Sequence, residues 1–209
     1  MPRFQPPALL ACAAALMLPA CATSPYTGPV EVTRFVAPDP AGLGQGTIMI
    51  DFPDELGNAA ARAAFTAAVG KELTRLGYTV VPEGVPAGQT AAIRTSRNAT
   101  TAADNRRNPV NVGVGGQTGS FGSGVGMGVG INLGGGRESP SVLTDLAVRI
   151  TRDDGTTLWE GRAQIATGVK SPYSQVNTSA ATLAAGLFRD FPGGNGETVT
   201  INVKKLQGS

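Results

Sequence analysis

The apolar positions of this chain follow two periods. Val30, Val32, Arg34 and Val36 alternate with Glu31, Thr33 and Phe35, a period of two that predicts a short strand suited to a sheet edge. Thr47-Ile48-Met49-Ile50-Asp51-Phe52 is a compact apolar run, and the Pro53-Asp54-Glu55 that follows is helix-start chemistry. Proline is tolerated in a first turn, and carboxylates favour the positive end of a helix dipole. Phe65, Val69, Leu73 and Leu76 then recur at steps of four, four and three, which puts them on one helical face. Arg62, Lys71, Glu72 and Arg75 lie on or near the opposite side, and Gly77 is placed to end the helix as a left-handed cap. Tyr78 to Val81 begins another strand, Pro82 to Gly88 turns the chain, and Ala91 to Thr95 forms the next strand.

Ser96 to Asn108 is polar, lacks apolar periodicity and reads as a loop. Gly113 to Gly136 holds twelve glycines in twenty-four residues. Within it Gly124, Gly126, Gly128 and Gly130 alternate with Val125, Met127, Val129 and Ile131, the pattern of a strand with one bare and one apolar face. Val110 to Val114 is similar, so the two are expected to pair as a Gly-rich hairpin around Gly115 to Gly122. Leu146, Val148 and Ile150 share one face of the following strand, Asp153-Asp154-Gly155 makes a turn, and Trp159, Gly161, Ala163 and Ile165 form the core face of the return. Leu183, Leu187, Phe188 and Phe191 mark a second amphipathic helix, capped by Asn177, Thr178 or Ser179 and ended by Pro192-Gly193-Gly194. Val199, Ile201 and Val203 alternate in a closing strand. This order predicts an α+β fold: a mostly antiparallel sheet with two amphipathic helices on one face and a Gly-rich β-hairpin. The expected organisation is a removed segment over 1–20, an irregular tether over 21–46 that contains the strand 30–36, a single domain over 47–205 and a tail over 206–209.

The first residues change the picture from a free domain to an anchored one. Arg3 precedes the apolar stretch Ala8 to Leu18, which ends in Leu18-Pro19-Ala20-Cys21, the order of a secretory signal. As a helix that stretch would span only about 16 Å against a hydrocarbon core of about 30 Å, too short to cross a bilayer. Leu at −3, a small residue at −1 and a cysteine after the cut resemble the bacterial lipobox, whose cysteine thiol becomes thioether-linked to diacylglycerol before cleavage between Ala20 and Cys21. Leu9-Leu10-Ala11-Cys12 fits the same local pattern, but the apolar run before Cys12 is only Ala8 to Ala11, too short for a signal core. Cleavage at Cys21 leaves 189 of the 209 residues and removes Cys12 and Arg3. Several acyl chains hold such a protein durably at a membrane, where a single chain binds only marginally. Ala22 stands where enteric bacteria place an aspartate for inner-membrane retention, so the expected address is the outer membrane, facing the periplasm.

Composition narrows the chemistry. There is no histidine, which removes histidine-dependent triads and metal sites, and no cofactor or metal is expected. Seventeen Lys and Arg against fifteen Asp and Glu are too balanced to suggest nucleic acid. The glycine run is not followed by a helix whose N-terminus would receive a phosphate, which argues against a nucleotide loop. Its strand Gly124-Val125-Gly126-Met127-Gly128-Val129-Gly130-Ile131 is flat and uncharged, so it is a candidate for partner docking or self-association besides being a packed hairpin. Arg94, Arg97, Arg106 and Arg107 are a candidate anion patch, weighed against an ordinary solvated loop. Asp51, Asp54 and Glu55 read as helix-start residues, and Asp153-Asp154-Gly155 as a turn without the ligand spacing of a calcium loop. No catalytic residue is assigned. A hydrolase using a Ser-Lys pair or carboxylates is the enzymatic alternative.

Thr156-Thr157-Leu158-Trp159-Glu160-Gly161-Arg162-Ala163, the helix closing in Phe191-Pro192, the alternation of glycine with apolar residues before the hairpin, and the lipobox together span about Val30 to Val203. They resemble the bacterial envelope lipoproteins grouped as domain of unknown function 4136. That resemblance implies an α+β lipoprotein domain without an established activity and carries over no catalytic residue. The opening strand departs from the aspartate- and aromatic-rich start common in that group. The expected function is a lipid-anchored envelope protein with a non-catalytic binding or structural role, its partners being the membrane and another envelope protein or a second copy.

Overall fold

The computed structural model describes residues 24–52, 58–100 and 141–206. Seven strands form one sheet in the order β3-β2-β4-β5-β6-β1-β7. They are β1 (Thr27–Val36), β2 (Thr47–Asp51), β3 (Thr79–Val81), β4 (Gln89–Thr100), β5 (Ser141–Arg152), β6 (Thr157–Gly168) and β7 (Thr198–Ile201). Two helices, α1 (Ala59–Arg75) and α2 (Val176–Leu187), complete the α+β fold. The pairs β4–β5, β5–β6, β6–β1 and β1–β7 are antiparallel, whereas β2 runs parallel to both β3 and β4. The parallel pair β2–β3 requires a crossover, and α1 supplies it. Both edge strands are short, three residues in β3 and four in β7, which limits the unpaired backbone open to another chain.

Register explains which residues became core. Val30 lies opposite Ile165, Val32 opposite Ala163 and Arg34 opposite Gly161. Leu146, Val148 and Ile150 face Ala163, Gly161 and Trp159 across β5–β6. Ile93 and Ala91 continue the same rows on β4. These side chains are buried beneath the helices with Phe65, Val69 and Leu73 of α1 and Leu183 and Leu187 of α2. Each aliphatic side chain so buried contributes about 1.5–3 kcal/mol.

Several boundaries differ from the sequence expectation. The strand at 30–36 begins at Thr27 and lies between β6 and β7 rather than at the edge, so the sheet takes in part of the segment assigned to a tether. Ser96 to Thr100, expected as loop, extends β4, because β5 pairs with it residue for residue as far as Thr100–Ser141. Helix α1 starts at Ala59, with Asn58 Oδ1 accepting from the Ala60 and Ala61 amides at 3.0 and 3.2 Å. Its first turn contains no carboxylate. Gly77 ends it as expected, at φ 108°, in a Schellman turn: Gly77 N–H donates to Thr74 O and Tyr78 N–H to Leu73 O. Asn177, Thr178 and Ser179 lie inside α2, whose N-cap is Gln175 without a side-chain capping bond. Helix α2 stops at Leu187, ahead of Phe191 and the Pro192-Gly193-Gly194 expected to end it. The closing strand ends at Ile201, and Val203 to Leu206 forms a 3-10 turn that packs Leu206 on the core, where a tail was expected. The Asp153-Asp154-Gly155 hairpin turn is present, with Gly155 at φ 84° and Asp154 Oδ1 accepting from Thr156 N–H at 2.8 Å.

Trp159 and Gly161 share the core face of β6 for a steric reason. A Cβ on Gly161 would lie 2.2 Å from the Trp159 ring and 2.8 Å from Leu187, so only glycine admits the indole beneath α2. Trp159 stacks on Phe188 at 5.4 Å, meets Phe191 at 5.2 Å and donates its Nε1 proton to Pro192 O at 2.9 Å. Gly161→Ala is expected to destabilise the domain by about 1–3 kcal/mol through overpacking. Gly88→Ala, whose new Cβ would come no nearer than 3.8 Å to Thr47, should stay within about 0.5 kcal/mol. Denaturant unfolding of the two variants against the parent checks the contrast.

Candidate functional site

The most buried charge among the described residues is Arg34, 5% exposed and in phase with Val30 and Val32 on the core face of β1. Its Nε donates to Leu187 O at 2.8 Å, and one terminal nitrogen donates to Gly186 O at 2.9 Å and Arg189 O at 2.7 Å. Arg75, at the end of α1, reaches Phe188 O at 3.4 Å while its Nε holds the buried Glu72 at 2.8 Å. Four consecutive carbonyls at the end of α2 therefore meet two guanidinium groups, at the end of a helix where carbonyls lack intrahelical donors and the dipole is negative. Burial pushes the Arg34 pKa down and the nearby Asp190 opposes that shift, but a guanidinium in this setting stays charged. Gly193, at φ 81°, passes directly over it: a Cβ there would lie 2.7 Å from Arg34 Cδ. Three hydrogen bonds thus fix Arg34 to the end of α2 in a structural role.

The face of the sheet opposite the helices is the second candidate. Glu31, Gln164, Asp145 and Ser96 form one cross-strand row, Thr33, Arg162, Ala147 and Arg94 the next, and Phe35, Glu160, Arg149 and Ala92 a third. Polar groups are paired across it. Gln164 donates to Glu31 at 2.7 Å, Arg162 to Asp145 at 2.6 Å, and Arg149 to Glu160. Phe35 stands exposed beside a shallow depression of about 190 Å³ bordered by Thr33, Arg149 and Glu160. Burial raises the Asp145 pKa, with the charge of Arg162 and its hydrogen bond acting against it. Two ion pairs and an amide–carboxylate hydrogen bond give this face a chemistry that suits contact with a polar surface.

A third feature is a groove of about 650 Å³ between α1 and the β2–β3 edge, lined by Ile50, Phe52, Ala63, Val80 and Pro82. Arg62 stands at its rim, 3.7 Å from Glu83 and 5.6 Å from the centre of the Phe52 ring. It can shelter apolar groups.

Of the anion patch proposed from sequence, the two described members are not brought together. Arg94 and Arg97 fall on opposite faces of β4, since Arg94 pairs with Ala147 and Arg97 with the core-facing Thr144, so they form no common patch. Arg97 is hydrogen-bonded to Ser174 O. Arg106, Arg107, Ala20, Cys21, Asp54, Glu55 and the whole strand Gly124 to Ile131 lie outside the described residues. The two junctions of the segment holding the glycine run, Thr100 and Ser141, pair at the end of the sheet where β1 begins. Among the described residues no three His, Cys, Asp or Glu side chains cluster as metal ligands, and no helix is long and apolar enough to cross a membrane. Sequence reasoning missed Arg34 as a structural centre, although a lone arginine in phase with three valines was the available signal.

No family model matches the chain, and no curated protein matches it. Among solved structures, a PDZ domain protein from Parabacteroides distasonis is similar over 85% of this chain at 15% identity and a TM-score of 0.48. This chain spans only 38% of that protein's length. The PelC dodecamer from Paraburkholderia phytofirmans is similar over 75% of this chain and 93% of its own at 9% identity and a TM-score of 0.40, and a substituted form of it gives 0.38. TM-scores below 0.5 carry no argument about function.

Two expectations follow from the buried charges. Arg34→Leu removes the side-chain donor from Leu187 O and Arg189 O and should cost about 3 kcal/mol in denaturant unfolding. Asp145 has a folded pKa above its unfolded one, so its ionisation opposes folding: stability from this group falls as pH rises from the unfolded pKa through the folded one. Asp145→Asn removes that penalty. Relative to the parent, the variant should gain stability as pH rises from acid to neutral in unfolding titrations, and a relative loss in that direction would show that Arg162 pairing dominates.

Proposed function

We propose that the chain is a lipid-anchored protein of the bacterial envelope, attached through Cys21 to the outer membrane on its periplasmic side, with a non-catalytic binding or structural role. The observation that carries this is the lipobox-like Leu18-Pro19-Ala20-Cys21 set close before the folded domain, whose first strand begins at Thr27. The spacing suits an anchor: residues 22–26 connect it to the sheet without a further domain between them. A binding or structural role is supported by how the buried charges are used. Arg34 holds α2, Glu72 is held by Arg75, and Asp145 is held by Arg162.

The resemblance to the domain of unknown function 4136 group belongs to the same proposal. It is supported by a physical reason for the Trp159–Gly161 spacing, since the glycine makes the space that the indole occupies. The surface best suited to a protein partner is the paired-charge face of β1, β6, β5 and β4, where Phe35 stands exposed among Thr33, Glu160 and Arg149.

Cells grown with an alkyne fatty acid should yield a labelled protein, and Cys21→Ala should abolish both the label and recovery in the outer-membrane fraction. An unlabelled parent protein, or labelling that survives the substitution, would overturn the anchor.

A further inference from the structure

The sheet has two distinguishable ends, and one of them carries the start of β1. At that end Thr27 pairs with Thr167, Ser141 pairs with Gly168, and Thr100 pairs with Ser141. The chain leaves β6 there through a turn in which Ser171 N–H donates to Gly168 O at 2.8 Å, so Val169 and Lys170 occupy its two central positions. Gly168 N–H in turn donates to Tyr26 O at 2.9 Å, which fixes Tyr26 beside this turn. Two of the four large apolar side chains exposed among the described residues stand here, Tyr26 at 47% and Val169 at 44%. The described residues that close this end, 26–28, 99–100, 141–142 and 167–171, contain one cation, Lys170, and no carboxylate.

We propose that this end of the sheet, through Tyr26, Val169 and Lys170, rests on the surface of the lipid bilayer to which the chain is anchored. The inference rests on lipidation of Cys21. Tyr26 is the fifth residue after Cys21, a reach of at most about 18 Å when fully extended, so the end that carries Tyr26 is held next to the headgroups. An exposed tyrosine places its ring at the apolar boundary and its hydroxyl in the polar layer, as tyrosines do at membrane interfaces. A valine at a turn tip adds apolar area, and Lys170, with no carboxylate among the described residues that close this end, complements anionic headgroups. Among the described residues the opposite end differs in charge: the β5–β6 turn there carries Asp153 and Asp154.

The test uses the full-length, processed protein reconstituted in vesicles of phosphatidylethanolamine and phosphatidylglycerol. Val169→Cys and, separately, Val85→Cys carry an environment-sensitive nitrobenzoxadiazole label. Val85 is matched in exposure at 43% and lies in the turn that leads to Gln89, at the end of β4 away from Thr100. Mass spectrometry of the N-terminal peptide reads the state of Cys21 in the same samples. The expected result is acylated Cys21, a blue shift with a several-fold rise in emission at position 169 on transfer from detergent to vesicles, and little change at position 85. Lys170→Glu should weaken the response at 169 as the phosphatidylglycerol fraction rises. Acylated Cys21 with a silent label at 169, or with equal responses at both positions, overturns the orientation and leaves the anchor standing. An unmodified Cys21 overturns the anchor and the orientation with it.

Discussion

The end of α2 is where the fold is tied together. A helix end leaves carbonyls without donors, and here that end is buried against the sheet, where water cannot supply them. Arg34 enters from β1 and Arg75 from α1, so the four carbonyls from Gly186 to Arg189 are met by two cations from different elements. The dependence runs outward from there. Arg34 can point at α2 only if its strand lies under the helix, which requires β1 to be internal to the sheet, between β6 and β7. Its guanidinium then needs room above it, and Gly193 is the residue that makes it. The neighbouring space is filled by Trp159 against Phe188 and Phe191, and Gly161 is bare for the same reason.

The parts of this fold that were legible in the sequence are those where one physical signal dominates. Period-two runs gave β5 and β6, the Asp-Gly turn gave their connection, and Gly77 marked the end of α1 because a left-handed residue is required there. What was not legible depended on a partner segment distant in sequence. Ser96 to Thr100 has no apolar alternation of its own and is a strand only because β5 extends alongside it. Val176 begins α2 although no capping side chain serves it, and three good capping residues are used inside the helix, with Ser179 donating back to Val176 O at 3.0 Å. Asn58 caps α1 four residues beyond Asp54, where the acidic pair is the stronger local helix-start signal.

Candidate sites were less legible than the fold. Clustering in sequence suggested a basic patch at Arg94 and Arg97, but an odd separation along a strand sends two side chains to opposite faces. The same alternation, applied across four strands, assembled something that local spacing could not indicate: the rows of Glu31 with Gln164 and of Arg162 with Asp145 come from residues more than a dozen positions apart. A paired-charge surface of this kind is a property of register, and register is set by the buried side of the sheet. Slipping β1 by one residue would bring Glu31 and Phe35 under the helices and send Arg34 away from α2.

That coupling bears on what an anchor at Cys21 would do to the domain. A tether attached to an edge strand can pull that strand away while the rest of the sheet survives. Here the first strand is paired on both sides and held to α2 through Arg34, so displacing it breaks two ladders and uncovers the buried end of a helix. The strand nearest the anchor is thus among those most firmly held in the domain. With so few residues between Cys21 and Thr27, the domain would have little freedom to turn away from the membrane, and its charged sheet face would keep a nearly constant angle to the bilayer. A binding surface presented at a fixed angle meets partners embedded in or attached to the same membrane with less rotational freedom left to lose, which favours such encounters over those with partners free in solution.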